Sequence, residues 1–270
     1  MVIQIGLQGV SPFILSFSRF FLMSIPLVFF IKRPAISFRL LLGYGLLMFA
    51  IPFTFLFIAM HIGLSASLAS LLLQMQVFFT IFLAFLFLKE RCHVWQMVGA
   101  SLSFVGIIVV SYHLGQGVSF WGLMNVLMAA AFWGGGNVVA KKIGKVDILA
   151  LIAWGSLIAW PPLLLGSLYV DGLDTILYTF RHISITTIGS IAYITYASTL
   201  IAFSLWSFLI HHHPLGSIAP FSLLVPFFGF VCSYWVLDEP LPLWKVLSGI
   251  LVIAGLAVNV LGARFFKKNN

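Results

Sequence analysis

The chain has 270 residues, of which 62% are hydrophobic and only 7% are charged, and its formal net charge is +8. A soluble domain carries about 25% charged residues, because its surface faces water. This composition therefore excludes a water-soluble fold and predicts an all-α integral membrane protein with the lipid bilayer as its partner. In such a protein the excess of Lys and Arg reflects topology, so we expect no nucleic-acid partner.

A helix needs about 20 mostly apolar residues to cross a bilayer. We predict nine full spans, joined by short polar segments and with no soluble domain between them; the longest joint is a loop near 171–184. In chain order the spans lie at roughly 10–31, 40–60, 64–88, 94–112, 120–140, 148–170, 185–210, 216–237 and 243–262.

The joints differ sharply in charge on the two sides of the predicted membrane. Counted by alternate joints, eleven Lys and Arg lie on one side and two, Arg181 and Lys245, lie on the other. The eleven are Lys32, Arg33, Arg39, Lys89, Arg91, Lys141, Lys142, Lys145, Arg264, Lys267 and Lys268. Because cytoplasmic loops retain basic residues, the bias predicts a multi-pass cell (inner) membrane protein with a cytoplasmic C-terminus.

The two halves of the chain are related in sequence. Identical residues recur at an offset of 149: Leu88/Leu237, Glu90/Glu239, Trp95/Trp244, Leu102/Leu251, Gly106/Gly255 and Val109/Val258. The charge count places Glu90 inside and Glu239 outside, which predicts two inverted repeats. Inverted repeats are typical of secondary transporters, whose substrate site lies near the midplane between the halves.

The order of the short motifs resembles the EamA family of the drug/metabolite transporter superfamily. The residues that carry the resemblance are Gly6 to Pro12 followed by Arg19-Phe20, the Leu-x-Glu ends at Glu90 and Glu239, and Trp133-Gly134 with Asn137 and Lys142 to Gly144. The segments 41–46, 69–76 and 222–226 are most similar to the branch of O-acetylserine/cysteine exporters.

The resemblance implies ten helices in two inverted five-helix repeats. Residues 1–112 would form the first repeat, 118–264 the second and 265–270 a cytoplasmic tail. The expected function is export of small amino-acid-like metabolites by alternating access, with no enzymatic activity and no cofactor. Two alternatives stay open: an exporter of drugs or other metabolites in the same superfamily, and a non-functional truncated remnant.

One departure from the family pattern concerns the first helix. Gly6 is the counterpart of Gly144, so the first-half match to Trp133 and Asn137 would precede Met1. The sequence thus predicts nine full spans, the ten of the family minus most of the first, through either a misplaced start or a true truncation.

Polar residues inside the predicted spans are the candidates for substrate binding. Arg19 lies near the middle of the first full span, and a guanidinium grips a carboxylate at two points. Gln74 and Gln76 lie mid-span and offer amide donors and acceptors to a zwitterion. The alternatives are that Arg19 snorkels or bonds backbone carbonyls, and that the glutamines join neighbouring helices.

Three further candidates lie in the second half. Trp133 and Asn137 flank the run Gly134 to Gly136, which permits either close helix packing or a locally unwound binding segment. Tyr193, with Thr195 and Tyr196, forms a polar stripe that is typical of a pathway lining but equally of packing bonds.

The positions of the acidic residues bear on energy coupling and on chemistry. All six lie at joints, so no carrier for a coupling proton is evident inside a span. No metal-binding or nucleophile-and-base spacing is present, which disfavours an intramembrane enzyme. The predicted partner is a small-molecule substrate. Coupling to a proton and assembly into a homodimer are left open by the sequence.

We expect a reporter that is active only in the periplasm to be silent when it is fused after Asn270, because the basic asymmetry places the tail inside. Reporter activity normalised to fusion abundance measures this. The same reporter fused after Asp174, on the side with few basic residues, should be active, and the reverse pattern would overturn the topology.

Overall fold

The computed structural model describes residues 2–89, 94–113, 119–144, 146–202, 205, 224–238 and 240–265. Within these ranges the chain is helical and contains no strand. The helices are α1 (Val2–Leu7), α2 (Pro12–Val28), α3 (Phe38–Tyr44), α4 (Ile51–His61), α5 (Ala66–Leu73), α6 (Gln76–Leu88), α7 (Val94–Ser111), α8 (Phe120–Ile143), α9 (Ile148–Val170), α10 (Leu173–Arg181), α11 (Ile185–Ala192), α12 (Leu224–Leu237) and α13 (Leu243–Phe265). Two π-helical segments, π1 (Gly45–Ala50) and π2 (Tyr193–Ile201), continue α3 and α11.

Five of the predicted spans are confirmed as helices long and apolar enough to cross a membrane. They are Phe38–His61, Ala66–Leu88, Val94–Ser111, Phe120–Ile143 and Ile148–Val170, and a sixth is obtained if the bent pair Leu173–Arg181 and Ile185–Ile201 counts as one. Residues 203, 204 and 206–210 of the predicted span 185–210 and residues 216–223 of the span 216–237 lie outside the described residues, as do Glu90 and Glu239. The count of nine therefore stays a prediction.

The segment predicted as a loop near 171–184 instead contains α10. This helix meets α11 at an angle of 102°. Its apolar residues, Leu173, Ile176, Leu177 and Phe180, recur at helical spacing, and Ile176 is buried against the protein. The prediction was wrong because this short amphipathic period was overlooked beside the long apolar runs.

Helix starts follow from local sequence. Ser11 caps α2 by accepting a hydrogen bond from the backbone N–H of Ile14 at 3.2 Å, and Pro12 occupies the first turn, where its missing N–H does no harm. Asp147 caps α9 by accepting from the N–H of Leu149 at 2.9 Å. These caps fix where each apolar run becomes a helix.

The helices α7 and α13 pack closely and run antiparallel. Gly99 faces Gly255 near one end, and Gly106 faces Val252 and Ser248 further along. At the far end the rings of His113 and Trp244 stack with their centroids 4.4 Å apart. Small residues let the two backbones approach, which is the main source of packing between membrane helices.

A second antiparallel pair joins α2 to α9. At one end the hydroxyl of Ser11 donates to the carboxylate of Asp171 at 2.7 Å. At the other end the indole N–H of Trp154 donates to the carbonyl of Ile31 at 3.1 Å. Between these bonds the ring of Trp160 packs edge-on against Phe21, so the two helices are tied along their whole length.

The central helix α8 is continuous through its glycine run. A Cβ at Gly134 would lie 2.9 Å from the backbone nitrogen of Thr80, and one at Gly136 would lie 2.9 Å from the Cα of Met48. These glycines admit the backbones of α6 and π1 on different sides of α8. Of the two interpretations of the run, the structure therefore favours close packing over an unwound segment.

The two π-helical segments occupy related places in the chain. With the offset of 149 found in the sequence, the residues of π1 correspond to 194–199, which lie within π2. Tyr44 and Tyr193, which immediately precede the matched residues, are also counterparts. A π-helical turn is rare and often marks a functional site, so the paired occurrence directs attention to these two helices.

We expect Gly99→Ala and Gly255→Ala each to lower the thermal unfolding temperature, because the added methyl group collides with the backbone of the facing helix. Overpacking of this kind costs about 1–3 kcal/mol. The matched control is Gly189→Ala in α11, where the added methyl group meets nothing within 4 Å. Thermal unfolding of the purified protein in detergent measures the effect, and equal behaviour of all three variants would contradict the packing argument.

Candidate functional site

The side chain of Arg19 is buried within α2, with 2% of its surface exposed. Its Nε and Nη2 atoms donate to the hydroxyl oxygen of Thr199 on π2, at 3.0 and 2.7 Å. The acidic residues that the structure describes lie at helix ends, so none sits inside an apolar helix near this charge. Arg19 is thus a buried cation held by a neutral hydroxyl rather than by a carboxylate.

The hydroxyl of Thr199 makes all the hydrogen bonds that it can make. Its hydrogen is donated to the carbonyl of Ile194 at 2.8 Å, and its two lone pairs accept from Arg19. The acceptor Ile194 lies five residues back along the chain, which is the spacing of a π-helix. The π-helical geometry of this segment therefore determines the direction in which the hydroxyl points at the guanidinium.

Two aromatic rings lie near the guanidinium, Phe20 on α2 and Phe53 on α4. The Cζ atom of Arg19 lies 4.0 Å from the ring centroid of Phe53 and 5.2 Å from that of Phe20. The Phe53 ring in turn packs against Trp133 on α8, with centroids 5.3 Å apart. A cation over an aromatic face gains about 2 kcal/mol or more when both are desolvated, so Phe53 helps to hold the charge in an apolar interior.

A second polar cluster joins α8 to α6. The side-chain N–H of Asn137 donates to Thr80 at 3.0 Å and to the side-chain oxygen of Gln76 at 3.4 Å. Thr80 donates to the backbone carbonyl of Gln76 at 2.7 Å. Trp133 lies one turn from Asn137 on α8 and, through Phe53, connects this cluster to Arg19.

Gln74 lies at the break between α5 and α6 and is buried. The backbone around it makes i→i−3 bonds, such as Gln74 to Leu71 at 3.2 Å and Val77 to Gln74 at 3.1 Å. The span is therefore tightened to a 3₁₀ turn between the two glutamines. Gln74 and Gln76 consequently stand on either side of an irregular turn rather than on one regular helix.

The residues of the predicted polar stripe on π2 differ in burial. Thr195 is fully buried, whereas Tyr193 is 55% exposed and its ring makes none of the contacts described above. Tyr44, the counterpart of Tyr193, is buried instead. The structure thus brings Arg19, Trp133, Asn137 and Gln76 into one connected region and does not bring Tyr193 there.

Three residues of this region were missed by sequence reasoning. Thr199 could have been found, because it lies four residues after Thr195 on the same side of a helix. Thr80 could have been found in the same way, because it lies four residues after Gln76. Phe53 carries no signal, since nothing distinguishes it among the 28 phenylalanines of the chain.

Comparisons with known proteins agree with this architecture. The EamA-like transporter family matches residues 1–112 and 120–261. A probable amino-acid metabolite efflux pump of Escherichia coli (strain K12) is 37% identical over 273 residues, covering 99% of this chain and 91% of the pump. A protein of the same description from Salmonella typhimurium is also 37% identical, covering 98% of this chain and 90% of its own.

More distant relatives extend the same picture. An uncharacterized transporter of Bacillus subtilis, YoaV, is 22% identical over 96% of this chain and 90% of its own length. A crystal structure with 16% sequence identity superposes with a TM-score of 0.62, covering 98% of this chain and 95% of the other, which shows a shared fold. The family match spans both halves of an apolar chain whose described part is helical, so the resemblance is confirmed: the chain belongs to the EamA-like transporter family and is a multi-pass membrane transporter.

Proposed function

We propose that this transporter exports small amino-acid-like metabolites of the cysteine and O-acetylserine type, and that Arg19 binds their carboxylate. The observation that carries the proposal is the buried guanidinium of Arg19 within an apolar helix, held by Thr199 and Phe53. The efflux pumps of Escherichia coli and Salmonella typhimurium, described as probable amino-acid metabolite pumps, support this substrate class.

The physical argument rests on the charge. An Arg at the centre of a membrane helix costs about 2.5–3.5 kcal/mol on insertion scales. Thr199 and Phe53 supply a hydrogen-bond acceptor and an aromatic face, but neither carries the negative charge that would neutralise the cation. A substrate carboxylate would supply that charge, in a low-dielectric site where charge-assisted hydrogen bonds are strongest.

The site lies between the two repeats, where an alternating-access transporter places its substrate. Arg19 belongs to the first repeat (1–112) and Thr199 to the second (118–264). The antiparallel packing of α7 on its counterpart α13, and of α2 on α9, supports inverted repeats. We infer nine spans in the inner membrane with a cytoplasmic C-terminus, in which the two halves rock about the Arg19 region.

The other candidate residues have supporting roles in this proposal. Gln76 and Asn137 form a polar cluster, which Trp133 and Phe53 connect to Arg19, and Gln74 lies at the adjacent irregular turn. The side-chain amide oxygens of these residues would suit the amino group of a zwitterion, which needs hydrogen-bond acceptors. Tyr193, exposed at the start of π2, would contact substrate only in another conformation of the two halves.

A second candidate is an exporter of larger, apolar metabolites or drugs. The observation that favours it is the aromatic cluster around the guanidinium, in which Phe20 packs against Phe49 and Phe53 with centroids 5.4 and 5.5 Å apart. A competition experiment would separate the two candidates. Aromatic amino acids should inhibit the efflux of labelled cysteine only if the site is large and apolar enough to bind them as well.

We expect Arg19→Ala to reduce efflux of labelled cysteine by roughly tenfold or more, because a hydrogen-bonded charge contributes about 1.5–3 kcal/mol. Arg19→Lys keeps the charge but loses the planar fork, so its loss should be smaller. Efflux is measured from cells or vesicles with matched amounts of transporter. Cysteine amide, which lacks the carboxylate, should be exported poorly by the unsubstituted protein and should lose little more in Arg19→Ala.

The matched control is Arg39→Lys, at an exposed position in the first turn of α3. It should leave efflux unchanged. If both Arg19 variants fold and export cysteine as well as the unsubstituted protein does, Arg19 does not bind substrate. If neither accumulates in the membrane, its role is structural.

We expect Asn137→Leu to lower the thermal unfolding temperature, because it breaks the bonds from α8 to Thr80 and Gln76. Hydrogen bonds between membrane helices contribute about 0.6 kcal/mol on average and up to about 1.7. Asn125→Leu is the control, since Asn125 donates only within its own helix, to the Trp121 carbonyl at 2.8 Å. If the double variant Asn137→Leu/Thr80→Val lowers the unfolding temperature by the sum of the two single effects, the Asn137–Thr80 hydrogen bond does not stabilise the protein.

A further inference from the structure

We propose that Thr199 is a positioning residue, which orients Arg19 so that one edge of its guanidinium faces the substrate carboxylate. The proposal rests on the proposed function, because it assumes that Arg19 binds a carboxylate. It goes further by naming the residue that sets the direction of approach and the backbone geometry that makes this orientation available.

The first step concerns the donors of the guanidinium. Four of its five N–H groups form two forks: a side edge made by Nε and Nη2, and an end edge made by Nη1 and the second hydrogen of Nη2. Thr199 accepts from both donors of the side edge, at 3.0 and 2.7 Å. Phe53 covers a face of the same group at 4.0 Å. The end edge is then the fork directed toward a ligand, and its spacing suits both oxygens of a carboxylate.

The second step concerns how Thr199 itself is fixed. In an α-helix a Thr hydroxyl bonds the carbonyl four residues back, whereas here Thr199 bonds that of Ile194, five residues back, at 2.8 Å. The π-helical turn therefore both places the side chain against α2 and leaves its lone pairs aimed at Arg19. Conversion of π2 to an α-helix would rotate Thr199 away, so the segment couples its own conformation to the orientation of Arg19.

The third step concerns the pairing across the two repeats. At the offset of 149, the first-repeat counterpart of Thr199 is Ala50, in π1. Arg19 corresponds at an offset of 138 to Leu157, in α9. The fold thus forms the same helical arrangement in the other half without the Arg and Thr side chains. Their presence in one place only is a feature of ligand recognition rather than a requirement of the architecture.

The test compares Thr199→Val, which keeps the branched shape but loses the hydroxyl, with Thr199→Ser, which keeps the hydroxyl. We expect Thr199→Val to raise the KM for labelled cysteine roughly tenfold while kcat stays within about twofold, because orientation is lost but the charge remains. Thr199→Ser should restore the KM. Thr195→Val is the matched control: Thr195 is equally buried in π2, and its hydroxyl faces only the backbone carbonyl of Arg19, at 3.5 Å.

Each outcome decides the proposal. An unchanged KM in Thr199→Val, a KM that Thr199→Ser does not restore, or an equal effect of Thr195→Val overturns it and leaves the proposed function intact. If the unsubstituted protein exports no cysteine, the proposed function fails, and thermal unfolding without substrate decides whether Thr199 acts through Arg19. Thr199→Val should lower the unfolding temperature of the unsubstituted protein but not that of an Arg19→Met variant. An equal decrease in both would show that Thr199 does not act through Arg19.

Discussion

The buried guanidinium of Arg19 is the charge that the surrounding helices have to accommodate in an apolar interior. A permanent charge in an apolar helix must find acceptors within the protein, because lipid offers none. The fold meets this need from two directions: a threonine hydroxyl on π2 and an aromatic face on α4. A π-helical turn also occurs in π1, which faces no such charge among the described residues; in π2 it directs the Thr199 hydroxyl oxygen at α2 while the hydroxyl hydrogen is donated to the Ile194 carbonyl.

The helices around this charge are joined across the two halves of the chain. The α2–α9 pair is fastened at both ends, by Ser11 with Asp171 and by Trp154 with Ile31. By contrast, the α7–α13 pair relies on glycines that bring two backbones together. The combination suits a transporter, because hydrogen bonds can exchange partners while closely packed backbones act as a fixed support.

The polar residues of the site form a path rather than a single pocket wall. From Arg19 the contacts lead through Phe53 and Trp133 to Asn137 and then to Gln76 and Thr80. Two aromatic rings, Phe53 and Trp133, therefore connect the buried guanidinium to the amide cluster.

The sequence by itself determined the membrane class, five of the spans and the family, because apolar length and motif order are written along the chain. It also singled out Arg19, since a charge inside an apolar run is unmistakable. Only the tertiary structure decided what Arg19 touches, that the Gly134 to Gly136 run packs, and that Tyr193 is exposed while Thr195 is buried. The physical reason is that lipid and protein interior are equally apolar, so the sequence of a membrane helix carries little signal for which face meets a neighbour. Thr199 meets Arg19 only in the folded chain, because the two residues lie 180 positions apart in the sequence.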